Sequence, residues 1–149
     1  MKRSFWVTSV LFFIFAQNIY PRDWNGIQPS ISTRLEAEKI LGKSNSTGIE
    51  FGFYEYDGSR VEIDYFRKNA KADINEDVVT TIWIYPKKKF LLKNVSENLS
   101  SFTKETGESD IPGLAFYVNG KDGFAVEVQK PRDSKEELVT AFIYSAPAK

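Results

Sequence analysis

The dipeptide Asp57-Gly58 lies between two segments of strand-forming residues, and it constrains the fold more than any other feature of the chain. The flanking segments, 51–56 and 61–66, are rich in aromatic and β-branched residues. An Asp-Gly pair suits a two-residue turn, because both central residues of that turn need a positive φ. We therefore predict an antiparallel hairpin whose second strand alternates between two faces. Its core-facing residues are Val61, Ile63 and Tyr65, and its outward residues are Arg60, Glu62 and Asp64.

A short helix is predicted before this hairpin and a third strand after it. Thr33 and Glu36 form a capping box, and Gly42 supplies a stop, which indicates a helix over 33–41. Residues 78–85 are β-branched and aromatic, which is typical of a strand.

The same order of elements is predicted again in the second part of the chain. Asn94 and Glu97 predict a second capped helix that ends at Gly107, and Asn119-Gly120 predicts a second hairpin before a strand over 138–144. The segment Val79-Thr80-Thr81-Ile82 recurs as Val139-Thr140-Ala141-Phe142, which favours a weak internal duplication.

The predicted fold class is therefore α+β. It consists of two tandem units, each a helix with a three-stranded antiparallel meander, which share one sheet or core because neither unit alone buries both faces. The units span about 24–86 and 87–149, within a single domain over 17–149.

The N-terminus has the layout of a secretory signal peptide. Lys2 and Arg3 precede an uncharged apolar run over 5–16, which is shorter than the roughly 20 residues of a spanning helix. We predict a signal peptide over 1–16 that is cut after Ala16, and hence a secreted or periplasmic protein with no stable membrane anchor once the leader is removed. The alternative is a protein that an uncleaved leader tethers to the membrane.

Composition excludes the commonest catalytic machinery. With no His and no Cys, the chain has no Ser-His-Asp triad, Cys nucleophile, usual zinc ligands or disulfide. The acidic run over 73–77 lacks the Gly and the final Glu of a calcium loop. Equal numbers of basic and acidic residues, 20 of each, argue against nucleic acid as a partner. We expect no cofactor, no metal and no catalytic residue, and the oligomeric state stays open.

Four residues are candidates for a binding surface. Alternation on the second and third strands places Trp83, Tyr85, Arg60 and Glu62 on one face of the sheet. Aromatic and arginine side chains supply much of the contact energy at protein interfaces. The alternative is an ordinary half-exposed sheet face, or one that the other unit covers.

Most of the mature chain resembles a group of uncharacterised exported bacterial proteins. The resemblance rests on Trp24-Asn25-Gly26-Ile27, on Ser32-Thr33-Arg34 and on Leu41-Gly42. More distantly, a capped helix ending in Leu-Gly and then a Tyr-rich hairpin is similar to the SmpA/OmlA assembly lipoproteins and to the tandem-repeat β-lactamase-inhibitor proteins. Both of these families are noncatalytic partners of other proteins, although this chain lacks the cysteines that each of them carries.

These observations favour a noncatalytic protein-binding or envelope-associated module, with another envelope or secreted protein as its partner. Two other classes remain. A small-ligand carrier needs an apolar cavity between sheet and helices, and a carboxylate-dependent hydrolase needs two acidic residues that converge in one cleft.

Overall fold

The structure is a computed structural model that describes residues 21–45, 48–106 and 110–148. The expected signal peptide, 1–16, lies outside these ranges. The described residues form one α-helix and eight strands, with short 3-10 turns between them. The elements are α1 Arg34–Leu41, β1 Phe51–Tyr56, β2 Ser59–Phe66, β3 Val78–Tyr85, β4 Phe90–Leu91, β5 Thr103–Glu105, β6 Leu114–Asn119, β7 Phe124–Gln129 and β8 Leu138–Ser145.

All eight strands belong to one antiparallel sheet. Seven of them follow the order β1-β2-β3-β8-β7-β6-β5, and β4 pairs separately with the start of β8. The sheet thus contains two meanders, β1-β2-β3 and β6-β7-β8, whose third strands lie side by side. Four residue pairs, from Thr81 with Ser145 to Ile84 with Phe142, join the two meanders.

The turn between β1 and β2 has the backbone that its sequence predicts. Asp57 has φ 47° and Gly58 has φ 73°, so both central residues of the two-residue loop are left-handed. The register pairs Tyr56 with Ser59 and Tyr54 with Val61, which places Val61 and Ile63 in the core. The hairpin prediction is confirmed.

The predicted helix before this hairpin is also confirmed. Thr33 is the N-cap of α1: its side chain accepts from the Glu36 backbone, and the Glu36 carboxylate accepts from the Thr33 backbone N–H at 2.8 Å. Gly42 caps the other end with φ 85°. Ala37 is fully buried against the sheet, whereas Leu35 is 45% exposed.

The predicted α+β class of two helix-plus-strand units is wrong, because the described chain is β-rich with a single short helix. In place of the helix expected from Asn94, two 3-10 turns lead into β5. Ser, Asn and β-branched residues dominate this stretch and are poor helix formers. The Glu97 carboxylate, expected in a capping box, instead accepts a hydrogen bond from Arg22 at 2.8 Å. The expected helix end, Gly107, lies outside the described residues.

The core occupies one face of the sheet, which we call the core face. Alternate residues of the central strands, such as Val61, Ile82 and Val126, are fully buried there. Burial of each such side chain contributes roughly 1.5–3 kcal/mol. The residues that cover this face come from the N-terminal segment, from α1 and from the segment over 90–102. The buried residues form two clusters, and Phe142 and Tyr144 contact both of them. The covering residues include Trp24, Ile27, Ala37, Leu92, Val95, Leu99 and Phe102.

The two third strands share an irregularity. The register of β3 against β2 shifts at Thr80, and that of β8 against β7 shifts at Thr140. Each threonine hydroxyl donates to the neighbouring strand, Thr80 to the Asp64 carbonyl at 3.1 Å and Thr140 to the Glu127 carboxylate at 2.5 Å. The internal duplication itself stays a prediction.

A buried ionic cluster ties α1 to the sheet. Arg34 is 4% exposed and Asp77 is 1% exposed, and their charged groups lie 3.9 Å apart. Asp77 also accepts two hydrogen bonds from Arg67, at 3.0 and 3.2 Å. The Arg34 guanidinium lies 4.0 Å from the centroid of the Tyr65 ring and donates to the Ile49 carbonyl. The cluster thereby links the helix to β2 and to the start of β1.

The first and last described segments both reach the turn between β6 and β7. The Arg22 backbone N–H donates to the Asp122 carbonyl at 3.1 Å, and the Ala148 N–H donates to the Gly120 carbonyl at 2.8 Å. No helix within the described ranges is long and apolar enough to cross a membrane.

Candidate functional site

The face of the sheet opposite the core face, here called the outer face, carries all four residues proposed for binding. Arg60 and Glu62 come from β2, and Trp83 and Tyr85 come from β3. They lie there because Ile82 and Ile84 turn into the core, so the residues that alternate with them turn outward. These four residues are called the β2–β3 patch below.

Strand register brings the four side chains into direct opposition. Arg60 is paired with Tyr85, and Glu62 is paired with Trp83. The Arg60 guanidinium lies 4.2 Å from the centroid of the Tyr85 ring, within the range of a cation–π contact. The Trp83 and Tyr85 rings are nearly parallel, at an interplanar angle of 8° and a centroid distance of 6.4 Å. The patch is therefore a small ordered group of aromatic and charged side chains.

Asp64 fixes the orientation of the Trp83 ring. The indole Nε1 donates to the Asp64 carboxylate at 3.3 Å. Burial raises the pKa of the Tyr85 phenol, and the nearby Glu62 carboxylate raises it further, against the opposing effect of Arg60. The Tyr85 hydroxyl therefore stays protonated and can donate a hydrogen bond at neutral pH. Sequence reasoning placed Asp64 on this face but did not include it among the binding residues.

Apolar side chains extend the patch on both sides. On β1, the Phe51 and Phe53 rings lie 5.2 Å apart, and Phe53 is paired with Glu62. On β8, Ile143 is paired with Trp83. Sequence reasoning missed all three residues. Alternation in β1 carried a signal for the two phenylalanines, whereas Ile143 depends on the pairing of β3 with β8, which no local pattern encodes.

The charged residues of the paired strands make the outer face acidic. Five carboxylates lie there against one guanidinium, that of Arg60, which is engaged with Tyr85. The carboxylates belong to Glu55, Glu62, Asp64, Glu105 and Glu127. The outer face therefore combines half-buried aromatic rings with strand side chains whose charges are mostly negative.

The acidic segment over 73–77 is used for packing. It forms a 3-10 turn, Ile74–Glu76, and its last residue, Asp77, is the buried partner of Arg34 and Arg67. Within the described ranges, no cluster of three or more acidic side chains is arranged to hold a metal ion.

Two carboxyl groups, those of Glu97 and Glu137, have pKa values below their ordinary value. The hydrogen bond from Arg22 lowers the pKa of Glu97. Burial alone would raise the pKa of Glu137, but hydrogen bonds from Lys104 and Tyr117 outweigh burial and lower it. The general acid of glycosidic hydrolysis needs a raised pKa, so neither group has the character of that acid.

Comparison with known proteins shows that this chain is similar in fold to a solved structure. No protein-family model matches the chain, and no curated protein matches it. A solved structure that it resembles is that of YjgB, a DUF4309 family protein from Bacillus subtilis subsp. subtilis strain 168. The two share 11% sequence identity with a TM-score of 0.55, over 85% of this chain and 86% of that one. At this identity the likeness concerns the fold alone.

Proposed function

We propose that this chain is a noncatalytic protein-binding module that recognises its partner through the β2–β3 patch. The observation that carries the proposal is the ordered group of Arg60, Trp83 and Tyr85 on a face that the helix and the apolar segments do not use. Aromatic and arginine side chains held in place lose little conformational entropy on binding, so they are suited to anchor a protein interface.

The electrostatics of the outer face define the chemistry of the partner. Five carboxylates of the paired strands lie on this face, three of them on β1 and β2 beside the aromatic rings, and the guanidinium of Arg60 contacts the Tyr85 ring. A complementary surface carries basic residues around an apolar strip, because opposite potentials steer association and like charges oppose it. The partner we propose is a secreted or envelope protein with such a surface.

The binding test compares variants of the patch with a variant on the opposite side of the molecule. The protein is crosslinked in its own cells, and the partner is identified as the protein that Trp83→Ala and Tyr85→Ala each fail to recover. Leu35→Ala is the matched control, because Leu35 is 45% exposed on α1 and lies away from the patch. Loss of an aromatic anchor typically weakens binding by about 2 kcal/mol or more.

Circular dichroism and urea denaturation of the same variants show whether the patch is a surface or part of the core. We expect both patch variants to keep the fold. A partner recovered equally with wild type, with both patch variants and with Leu35→Ala would overturn the proposal. Reversible binding of the identified partner to the purified protein should also weaken as ionic strength rises, because salt screens the attraction between an acidic face and a basic partner.

We also propose that the chain is exported and that its leader is removed. The support is the arrangement of Lys2 and Arg3 before the apolar run over 5–16. Intact mass spectrometry of the protein from its own cells tests this. A mass that corresponds to a start near residue 17 is expected, and an intact N-terminus in the membrane fraction would favour the tethered alternative.

A further inference from the structure

A cavity of about 260 Å³ lies on the core face, where the first described segment and the segment over 90–97 meet strands β7 and β8. Four aromatic rings line it, and a charged pair lies at its edge. The rings belong to Phe90, Phe124, Phe142 and Tyr144. The cavity lies on the opposite side of the sheet from the β2–β3 patch, so it is independent of the proposed function.

The charged pair consists of Arg22 and Glu97. The Arg22 Nη2 donates to the Glu97 Oε2 at 2.8 Å, and each side chain is 32% exposed. The Arg22 guanidinium also lies 4.2 Å from the Phe124 ring centroid and 5.9 Å from that of Tyr144. Opposite charges and an aromatic pocket are therefore adjacent, and both charges are accessible to a ligand that enters from solvent.

Polar capacity at the cavity remains unused. Among the described residues, the Tyr144 hydroxyl has no hydrogen-bond partner, and the Arg22 side chain donates only to Glu97. A guanidinium has five N–H donors, so Arg22 can donate to a second anionic partner as well as to Glu97. Pockets that combine an apolar lining with a few converging polar groups are the usual form of small-molecule sites.

The volume limits the size of a ligand. A cavity of roughly 150 Å³ holds a benzene ring, and pockets for drug-sized ligands span roughly 300–1,000 Å³. A volume of about 260 Å³ therefore suits one ring with a short polar group. The ring would contact Phe90 and Phe142, whose centroids are 6.1 Å apart, in the offset or edge-on arrangements that aromatic groups prefer.

The charges determine which polar group fits best. An anionic ligand on Arg22 would lie beside the Glu97 carboxylate, and a cationic ligand on Glu97 would lie beside the Arg22 guanidinium, so a like charge opposes either ligand. A zwitterion satisfies both groups at once, with its carboxylate on the guanidinium and its ammonium on the carboxylate. We propose that this cavity binds a free α-amino acid with a single aromatic ring, oriented by Arg22 and Glu97.

The test is a calorimetric titration of the full protein with L-phenylalanine as the probe. Three related compounds each lack one of the groups of phenylalanine that the cavity is proposed to bind. Phenylalaninamide lacks the carboxylate, N-acetylphenylalanine lacks the ammonium, and alanine lacks the ring. We expect saturable one-to-one binding of phenylalanine, and affinity at least about tenfold weaker for each of the other three.

Two variants assign the charges. Glu97→Gln should weaken the binding of phenylalanine by about tenfold. The same change should leave the binding of N-acetylphenylalanine unchanged or make it tighter, because of these two compounds only phenylalanine has an ammonium. Arg22→Gln should weaken both. Lys93→Gln is the control, since Lys93 lies in a separate exposed ion pair with Glu136 at 2.6 Å. Trp83→Ala should leave the titration unchanged, which separates this site from the protein-binding patch.

The proposal is overturned if phenylalanine shows no saturable binding at concentrations up to about 10 mM. It is also overturned if alanine binds equally well, or if Glu97→Gln affects phenylalanine and N-acetylphenylalanine alike. Because both charged side chains are partly exposed, the two glutamine variants are expected to fold, and their circular dichroism spectra confirm it before titration.

Discussion

The hydroxyl oxygens of Tyr54 and Tyr65 lie 2.6 Å apart inside the protein, between β1 and the end of β2. Tyr54 is 2% exposed and Tyr65 is 6% exposed. Burial raises the pKa of both phenols, and it is the largest cause in each case. Both groups are therefore neutral, and they share one hydrogen bond inside the protein.

We predict that removing both hydroxyls lowers the free energy of unfolding by less than the sum of the two single removals. Tyr54→Phe leaves the Tyr65 hydroxyl buried without this partner, at a cost of about 1–3 kcal/mol. In Tyr54→Phe/Tyr65→Phe no hydroxyl of the pair remains to be satisfied. Urea denaturation of the two single variants and the double variant gives the coupling energy. Strictly additive costs would show that the hydrogen bond contributes nothing.

Arg34→Ala should destabilise the protein by about 3–5 kcal/mol, because it removes one member of a buried ionic cluster. The change removes the cation–π contact with Tyr65 and the interaction with Asp77 at 3.9 Å. The matched control is Leu35→Ala, the next residue of α1, which is 45% exposed and should change stability by no more than about 0.5 kcal/mol. Equal effects of the two changes, measured as free energies of unfolding, would contradict the structural role of Arg34.

Glycine at positions 58 and 123 is required for different reasons. Gly58 has φ 73°, and an added Cβ would make only an ordinary contact with the Lys87 side chain at 3.9 Å, so Gly58→Ala should cost roughly 1–2 kcal/mol from backbone strain. Gly123 has φ 68°, and an added Cβ would lie 2.1 Å from the Ser145 carbonyl oxygen. Gly123→Ala should therefore cost clearly more than Gly58→Ala in a thermal melt. The reverse order would mean that β8 moves away from Gly123 at little cost.

The Arg22–Glu97 ion pair should stabilise the fold only above acidic pH. The hydrogen bond from Arg22 lowers the folded pKa of Glu97 from its ordinary 4.5. This stabilisation is present above the unfolded pKa and is lost as pH falls through the lower folded pKa. Wild type should exceed Glu97→Gln in stability at pH 7, by at most about 1 kcal/mol for so exposed a pair. The gap should narrow progressively as the pH of the denaturation is lowered below 4.5, and a gap that stays constant would exclude the ion pair as its cause.

Local patterns predicted those parts of the fold that local chemistry determines. Asp57-Gly58 sets its own turn, and Thr33 with Glu36 forms its own cap, so both were visible in the sequence. Local patterns could not show that the second predicted helix does not form, because Glu97 hydrogen-bonds to Arg22, which is 75 residues away in the chain. Its apolar residues do pack against the core, so the pattern identified burial and misjudged the backbone shape.

The candidate binding surface shows the same division. Alternation within β2 and β3 was enough to place Arg60, Glu62, Trp83 and Tyr85 on one face. Ile143 joins that face only because β3 pairs with β8, and the aromatic cavity forms only because Arg22 reaches the segment over 90–97. Contacts between distant parts of the chain decide both features, and no residue spacing reveals them.

The turn between β6 and β7 receives both the Arg22 and the Ala148 backbone, so the two ends of the described domain lie at one corner of the sheet. The topology is therefore suited to circular permutation. A short flexible linker could join these ends, and new termini could open in the exposed lysine segment over 87–89, between β3 and β4. Such a rearranged chain would keep every strand pair of the sheet, with the order of its two meanders exchanged along the polypeptide.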